Sequence, residues 1–443
     1  MSQEITANQT AKFAEAFAAD SKKTAIQRAV VKNGIQGASE NQAGHVESNP
    51  VYSIDLTTGK VANQKQSGRC WMFAALNTFR HKILNNFNLK DFELSQSYTF
   101  FWDKYEKANW FYEGILNTAD EALTSRKVAF LLQTPQQDGG QWDMIVSIFQ
   151  KYGVVPQAVY PESFTSSASA QLNKYLNKKL RIDAKTLRSL VAEGASAEKI
   201  AETKEAMLQE VYNLLATTLG TPPTTFDFEY RDENKEYHIE QGLTPQSFYD
   251  KFVGVNLDDY VSIINAPTAD KPFNKSYTVE LLGNVVGGKQ VKYLNVDMST
   301  FKKLAIAQLE QGESVWFGCD VGQSSNRDGI MATSLFSVNE TLGADFDSNK
   351  ADRLDYGESL MTHAMVLTGV DIVNGQSTKW KVENSWGDKA GFNGFYVATD
   401  AWMDEYTYQI VVRKEFLTAE QQAAFAAEPK VLAPWDPMGA LAN

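Results

Sequence analysis

Apolar positions change their period along the chain, and the changes divide it into five stretches. Ala7 to Ala19 reads as a helix with Phe13 and Phe17 four apart on one face. A polar stretch then runs from Asn33 to Pro50, so residues 1–58 read as an N-terminal arm. From Cys70 the residues Trp71, Phe73, Ala74, Leu76, Phe79, Ile83 and Leu84 suit a buried helix. Gly68 stands before it and Ser67 is placed to cap it. Another helical run follows Leu94-Ser95, and a third spans Trp142 to Tyr152, closed by Gly153. Residues 59–165 therefore read as a helical lobe.

Residues 166–298 differ in character. Gln171 to Leu190 and Ala197 to Leu215 are helical patterns rich in Ala, Lys, Leu and Glu, and Thr221-Pro222-Pro223-Thr224 breaks the second. Shorter polar and strand-like pieces run on to Gly287-Gly288, so this reads as a mainly helical insertion. After Ser299 comes one helix, Phe301 to Gln311, and then a β-rich lobe over 299–426. Its strands are Val315 to Cys319, Ala364 to Val370, Lys379 to Glu383 and Gly394 to Val397, bounded by Gly, Asn or Asp. Thr418 to Ala427 is a final helix. The arm 427–443 carries Pro434 and Pro437 and reads as extended. A helical half, an insertion and a β half predict an α+β fold with its site in the cleft between halves.

Composition narrows the partners. At 443 residues the length suggests about two to four structural units, and 43% hydrophobic with 22% charged residues is an ordinary globular balance. A net charge of −12 repels nucleic acid and anionic membrane alike. No run approaches the roughly 18 continuous apolar residues of a membrane span, and the start Met1-Ser2-Gln3-Glu4-Ile5-Thr6 has neither the basic nor the apolar part of a secretory signal. Only Cys70 and Cys319 occur, allowing one disulfide at most, which points to the cytoplasm.

Candidate chemistry begins with those cysteines. Cys70 sits where a glycine-containing turn enters a helix, and free N–H groups there favour thiolate. The polar and cationic run Gln64-Lys65-Gln66-Ser67-Gly68-Arg69 precedes it, whereas Cys319 lies in an apolar strand as a small buried hydrophobe does. A cysteine nucleophile needs a base. Of four histidines, His45 lies in the arm, His238 lies in a polar run, and His81 is roughly 16 Å along the same helix from Cys70. His363 opens an apolar strand: it is either the base or a satisfied structural histidine. Asn384 follows another strand and either orients that base or is a turn asparagine. Trp386 either covers their hydrogen bond or is core. Histidines and cysteines are too few and scattered for a metal site, and no cofactor is expected.

Gln64 to Trp71, Thr362-His363-Ala364 and Asn384-Ser385-Trp386-Gly387 together resemble the papain-like cysteine peptidases. Glu93-Leu94-Ser95 and Asp138-Gly139-Gly140 match further family landmarks in the same order. The resemblance covers about 61–160 and 299–415. It implies a two-lobed papain-like fold, with Cys70 as nucleophile, His363 as base and Asn384 as its orienting group. Gln64, six residues before the cysteine, would be the oxyanion donor, and Gly139 and Gly140 would bind substrate backbone. Departures exist. Ser67 stands where the family usually has a disulfide cysteine, Thr362 replaces the usual Asn or Asp, and Cys70 and His363 are 293 residues apart, about twice the usual spacing. With the insertion and the tail Trp435 to Asn443, the chain is similar to the bleomycin hydrolase and aminopeptidase C branch. That likeness implies a homohexameric ring, and a C-terminal arm whose Asn443 carboxylate meets the α-amine of peptide substrates with a free N-terminus.

Two other readings compete. The basic stretch Lys174, Lys178, Lys179, Arg181, Lys185 and Arg188 could serve a fold-retaining nucleic-acid-binding protein, although Glu193, Glu198, Glu202 and Glu205 follow at once. The same triad could also run acyl transfer.

Overall fold

A computed structural model describes residues 4–442. The chain opens with helices α1 (Ala7–Ala19), α2 (Ser21–Ser39) and α3 (Gln42–Glu47), followed by the short strand β1 (Ile54–Asp55). Thr6 and Gln9 form a reciprocal capping box on α1, and Asp20 and Asn41 cap α2 and α3. The polar stretch after Asn33 has no apolar period, yet caps rather than a buried face keep most of it helical. Gly34, at φ 77°, kinks α2.

The helical lobe holds α4 (Cys70–Asn86), α5 (Gln96–Asn117), α6 (Arg126–Gln133) and α7 (Trp142–Tyr152). Burial on nearly every side of α4 explains its continuous apolar run. Ser67 does not cap it. Its hydroxyl donates to the Gln64 carbonyl at 2.7 Å and accepts from Arg69 Nε at 2.9 Å, while Arg69 occupies the cap position. Gly153 closes α7 at φ 66°, where a Cβ would lie 2.4 Å from the Pro245 backbone.

Helices α8 (Phe164–Ser167), α9 (Ala170–Ala192) and α10 (Ala197–Leu219) follow. Leu172, Leu176, Leu180, Ala184 and Leu187 of α9, and Met207, Val211, Leu215 and Leu219 of α10, turn inward, and both helices pack on α5. After Leu219 the stretch 166–298 leaves the helical pattern. It forms the hairpin β2 (Phe226–Arg231) and β3 (Tyr237–Leu243), then α11 (Pro245–Phe248), then β4 (Tyr260–Ile264), β5 (Lys275–Val279) and β6 (Tyr293–Asn295).

The remaining chain comprises α12 (Met298–Glu310), β7 (Val315–Cys319), β8 (Ile330–Met331), α13 (Val338–Leu342), α14 (Lys350–Asp355), β9 (His363–Val373), β10 (Gln376–Glu383) and β11 (Phe395–Thr399). It ends with α15 (Asp400–Tyr406), β12 (Thr407–Arg413), α16 (Ala419–Ala426) and β13 (Lys430–Leu432). Among the described residues, eleven strands form one mixed sheet in the order β13-β5-β6-β4-β12-β7-β9-β10-β11-β8, with β1 on β9. Strands β4, β5 and β6 therefore share a sheet with the strand that begins at His363. Antiparallel registers set Cys319 opposite His363 and Glu383 opposite Val366. Alternation along the strands feeds two cores: Trp316, Ala364 and Val366 face the helical lobe, whereas Phe317, Met365 and Leu367 face α12 and α15. The fold is α+β, as the sequence pattern predicts.

The C-terminal segment departs from the extended path predicted for it. Pro437 to Ala442 coil as a 3-10 helix. Proline's fixed φ suits a first helical position, and the Asp436 carboxylate accepts from the Met438 amide at 2.9 Å. Among the described residues, no helix is long and apolar enough to cross a membrane.

Candidate active site

Cys70 is the first residue of α4, so its own amide and that of Trp71 lack partners within the helix. Its side chain is buried and reaches the Ala364 amide on β9, next to His363. Burial pushes the thiol up to about 11, against the pull of the Ala364, Trp71 and Cys70 amides; Asp138 adds a further upward push. Arg69 is not the cation that the sequence offers to the sulfur. Its guanidinium is fully buried and grips Glu162 at 2.9 and 2.8 Å.

His363 is buried at the start of β9, with Nε2 2.9 Å from Asn384 Oδ1. Burial lowers its pKa to about 4, partly offset by the Asn384 bond. The Asn384 oxygen also accepts from the Ser385 amide at 2.7 Å, which fixes the side chain. The Trp386 ring lies 4.9 Å from the imidazole at 31° and is 39% exposed, so it screens one side of the bond from water.

Gln64 joins the two lobes. Its amide donates to the Ser385 carbonyl at 2.8 Å, and its Oε1 accepts the Ser385 hydroxyl at 2.5 Å. Its Nε2 donates to the Ser67 carbonyl at 2.7 Å and keeps a second hydrogen free. The bridge between Asn63 and Trp386 and the bond from Gly387 N to Ala62 O continue this zipper.

The two glycines do different things. A Cβ on Gly139 would lie 2.1 Å from the Leu441 carbonyl, so the tail passes directly over it. A Cβ on Gly140 would strike the Trp71 ring at 2.6 Å, so that glycine makes room for Trp71, whose Nε1 donates to the Asp138 carbonyl at 2.6 Å. Asn443 lies outside the described residues. Beside the tail, Phe130, Gln137, Leu281 and Ala442 help line a cavity of about 210 Å³.

Asp138 has a role that its place before two glycines in the sequence does not signal. Asp138 accepts from the Gly68 amide (2.9 Å), Asn173 (2.8 Å) and Ser169, and pairs with buried Lys104 at 2.8 Å. Burial opposes its charge, but Lys104 and these hydrogen bonds win and hold the carboxyl well below the usual range. Through Ser169 and Asn173 it ties α9 to the turn before Cys70. Asp320 is a second missed residue: it binds Thr362 Oγ1 at 3.0 Å and Ser359 Oγ at 2.9 Å, so it holds both ends of the segment before His363. Of the other histidines, His45 pairs with Glu40 at 3.0 Å. His238 stands with Asp232 and Glu236 in a cluster on the β2–β3 hairpin whose donor atoms lie within 4.8 Å of one another.

A family model described as the Peptidase C1-like family matches residues 4–439. The chain is 61% identical over 436 residues to Aminopeptidase C of Streptococcus thermophilus, covering 98% of each chain. It is 60% identical over 440 residues to Aminopeptidase C of Lactococcus lactis subsp. lactis strain IL1403, covering 99% of this chain and 100% of the other. A crystal structure of PepW from Lactobacillus rhamnosis HN001 superimposes with a TM-score of 0.98 at 60% identity, covering 99% of each chain. The chain belongs to the Peptidase C1-like family.

Proposed function

We propose that this cysteine aminopeptidase cleaves peptides with Cys70 as nucleophile, His363 as general base and acid, Asn384 as orienting group and Gln64 as oxyanion donor. The bond between buried His363 Nε2 and Asn384 Oδ1 carries the reading, because it fixes the ring and leaves Nδ1 for the sulfur. Burial opposes a lone thiolate and a lone imidazolium alike. The two charges therefore arise together, by proton transfer from Cys70 to His363. The thiolate then adds to the scissile carbonyl, and the Cys70 amide and the free Gln64 Nε2 hydrogen hold the oxyanion. Collapse breaks the C–N bond, with the His363 proton passing to the leaving amine. His363 next takes a proton from water, whose oxygen attacks the thioester and releases the acid and Cys70.

The tail supports exopeptidase action. Met438 and Leu441 are buried, and the Leu441 carbonyl covers the face of Gly139 that a substrate backbone would use. A carboxylate at the end of this tail would pair with the substrate α-ammonium and shut out longer N-terminal extensions. Removing residues 439–443 tests this with matched aminoacyl amides: free-amine substrates should lose kcat/KM and N-blocked ones should gain it. An equal response of both overturns the tail assignment.

The homohexamer implied by the sequence likeness belongs to the same proposal. Helix α1 buries no residue, and Ile5, Phe13, Val31 and Ile35 are 80%, 67%, 80% and 48% exposed, which suits an arm that packs on other copies. The mass of the full chain in solution, against a variant lacking residues 1–39, tests it. Two free cysteines suit the reducing cytoplasm proposed as its location. Three of the six basic side chains are already engaged within the fold, which weighs against nucleic-acid binding: Lys179 pairs with Asp183 and Glu210, Arg181 binds the Leu132 and Gln133 carbonyls, and Arg188 binds those of Thr118 and Glu121. Acyl transfer to added amines is separated from hydrolysis by product analysis.

A further inference from the structure

Behind the site lies a buried charged cluster that the mechanism does not use. Glu383 ends β10, next to Asn384, and is fully buried. Arg80 and His81 stand about three turns along α4 from Cys70, and are 2% and 6% exposed. Arg80 Nη2 meets Glu383 Oε1 at 2.5 Å, and His81 Nε2 meets Oε2 at 2.9 Å. Arg80 also donates to the carbonyls of Lys60 (2.8 Å) and Thr58 (3.4 Å), on the segment that leads to Gln64. His81 Nδ1 lies 2.9 Å from the hydroxyl of Ser314, which precedes β7, the strand paired with β9 and its His363.

Burial keeps His81 below its ordinary pKa. In the neutral ring Nε2–H donates to the carboxylate and Nδ1 accepts from Ser314. Burial also opposes the Glu383 charge, but Arg80 first and His81 second outweigh it and hold the carboxyl below its ordinary value. The cluster therefore holds one cation and one anion and satisfies both carboxylate oxygens. A buried ion pair is a weak source of net stability, because desolvation offsets the attraction; its directional bonds fix geometry instead.

From the convergence of α4, the end of β10, the segment before Gln64 and the start of β7 on this cluster, we infer that Glu383, with Arg80 and His81, is a positioning centre that sets the relative placement of Cys70, Gln64, His363 and Asn384. All three are buried, so their effect on the reaction runs through the residues they hold. The effect on rate runs mainly through Asn384, the next residue to Glu383. The inference rests on the proposed role of Asn384, and the test separates the two.

The test is a double-mutant cycle on kcat and KM for a free-amine aminoacyl amide, comparing the parent, Glu383→Gln, Asn384→Ala and the double variant. Folding is followed by near-UV circular dichroism. Glu383→Gln should lower kcat by ~10–100-fold with little change in KM, the size of loss that a misplaced catalytic group produces. The double variant should be no slower than the slower single one, because the cluster then has no Asn384 left to place. Losses that multiply, or a folded Glu383→Gln enzyme with parental kcat, overturn the inference while leaving the catalytic assignments intact. An Asn384→Ala enzyme with parental kcat overturns both. Should Glu383→Gln fail to fold, His81→Gln preserves the Arg80–Glu383 pair and carries the same cycle with the same outcomes.

Discussion

Cys70 and Cys319 are both buried thiols, yet their surroundings differ in one decisive respect. Cys70 starts a helix, and the Ala364, Trp71 and Cys70 amides pull its pKa down against burial. Cys319 ends a strand among Val261, Phe317, Met365 and Trp402, where burial raises its pKa, nearby Asp320 and Cys70 raise it further, and no amide opposes them. Burial alone makes a cysteine inert; oriented backbone dipoles make a buried one usable. The largest expected effect follows directly. Cys70→Ala should abolish turnover and iodoacetamide labelling, whereas Cys319→Ala should keep both. Retained turnover in the first variant, or labelling at Cys319 in the parent, breaks the contrast.

The second contrast concerns donors. Gln64 keeps one amide hydrogen free, because its oxygen is held by Ser385 and its other hydrogen by Ser67. Gln64→Ala should lower kcat by ~10²–10³-fold, as loss of a side-chain oxyanion donor does elsewhere. Steady-state kinetics that find kcat unchanged would remove Gln64 from the mechanism while leaving Cys70 in place.

A third prediction uses His363, whose strand begins opposite Cys319 and whose neighbouring amide serves Cys70. Its folded pKa, about 4, lies below the ordinary 6.5, so the unfolded chain binds the proton more readily. The contribution is fully present above pH 6.5 and is lost as pH falls toward 4, an effect of up to about 3 kcal/mol. A His363→Gln variant cannot titrate there. Urea unfolding from pH 7 to 4 should therefore show the parent losing more stability than the variant. Parallel curves would mean that His363 is not held neutral by burial.

How much of this was legible depends on what each residue's signal is made of. Helix α7 appears in the sequence at its observed bounds, because its apolar period and the stop at Gly153 are local. The strand Val315–Cys319 is equally plain. The segments near Gln64, Cys70, His363 and Asn384 could be quoted, but their meeting could not: no period in the chain states that β9 and β10 deliver His363 and Asn384 within 2.9 Å. Residues that act through long-range polar bonds were missed. Glu383 breaks the apolar pattern at a strand end and Arg80 does so inside a buried helix, and a charge in such a place is a signal that a partner exists. Nothing local names the partner 303 positions away. Arg69 misled in the same way, since its cation belongs to Glu162. A local cap also overrode the extended reading of the tail, where Asp436 and Pro437 start a helical turn.

The smallest effect sharpens the comparison most, because it asks whether Cys319 matters only as volume. Its side chain is fully buried in an apolar cluster. Cys319→Ser exchanges sulfur for a slightly smaller hydroxyl that brings the need for a hydrogen bond. The strand carbonyls beside it are already engaged in the β7–β9 and β7–β12 ladders, so the hydroxyl has to compete for an acceptor. The expected cost is ~1–3 kcal/mol of stability, the usual penalty for burying a poorly satisfied hydroxyl. The rate should not follow, since β9 is held by backbone bonds and Thr362 by Asp320, neither of which involves the Cys319 side chain. Paired thermal melts and kcat values decide the matter. A lower melting temperature with parental kcat leaves Cys319 as packing, whereas a fall in kcat without a fall in stability would place its sulfur in the chemistry and dissolve the distinction between the two thiols.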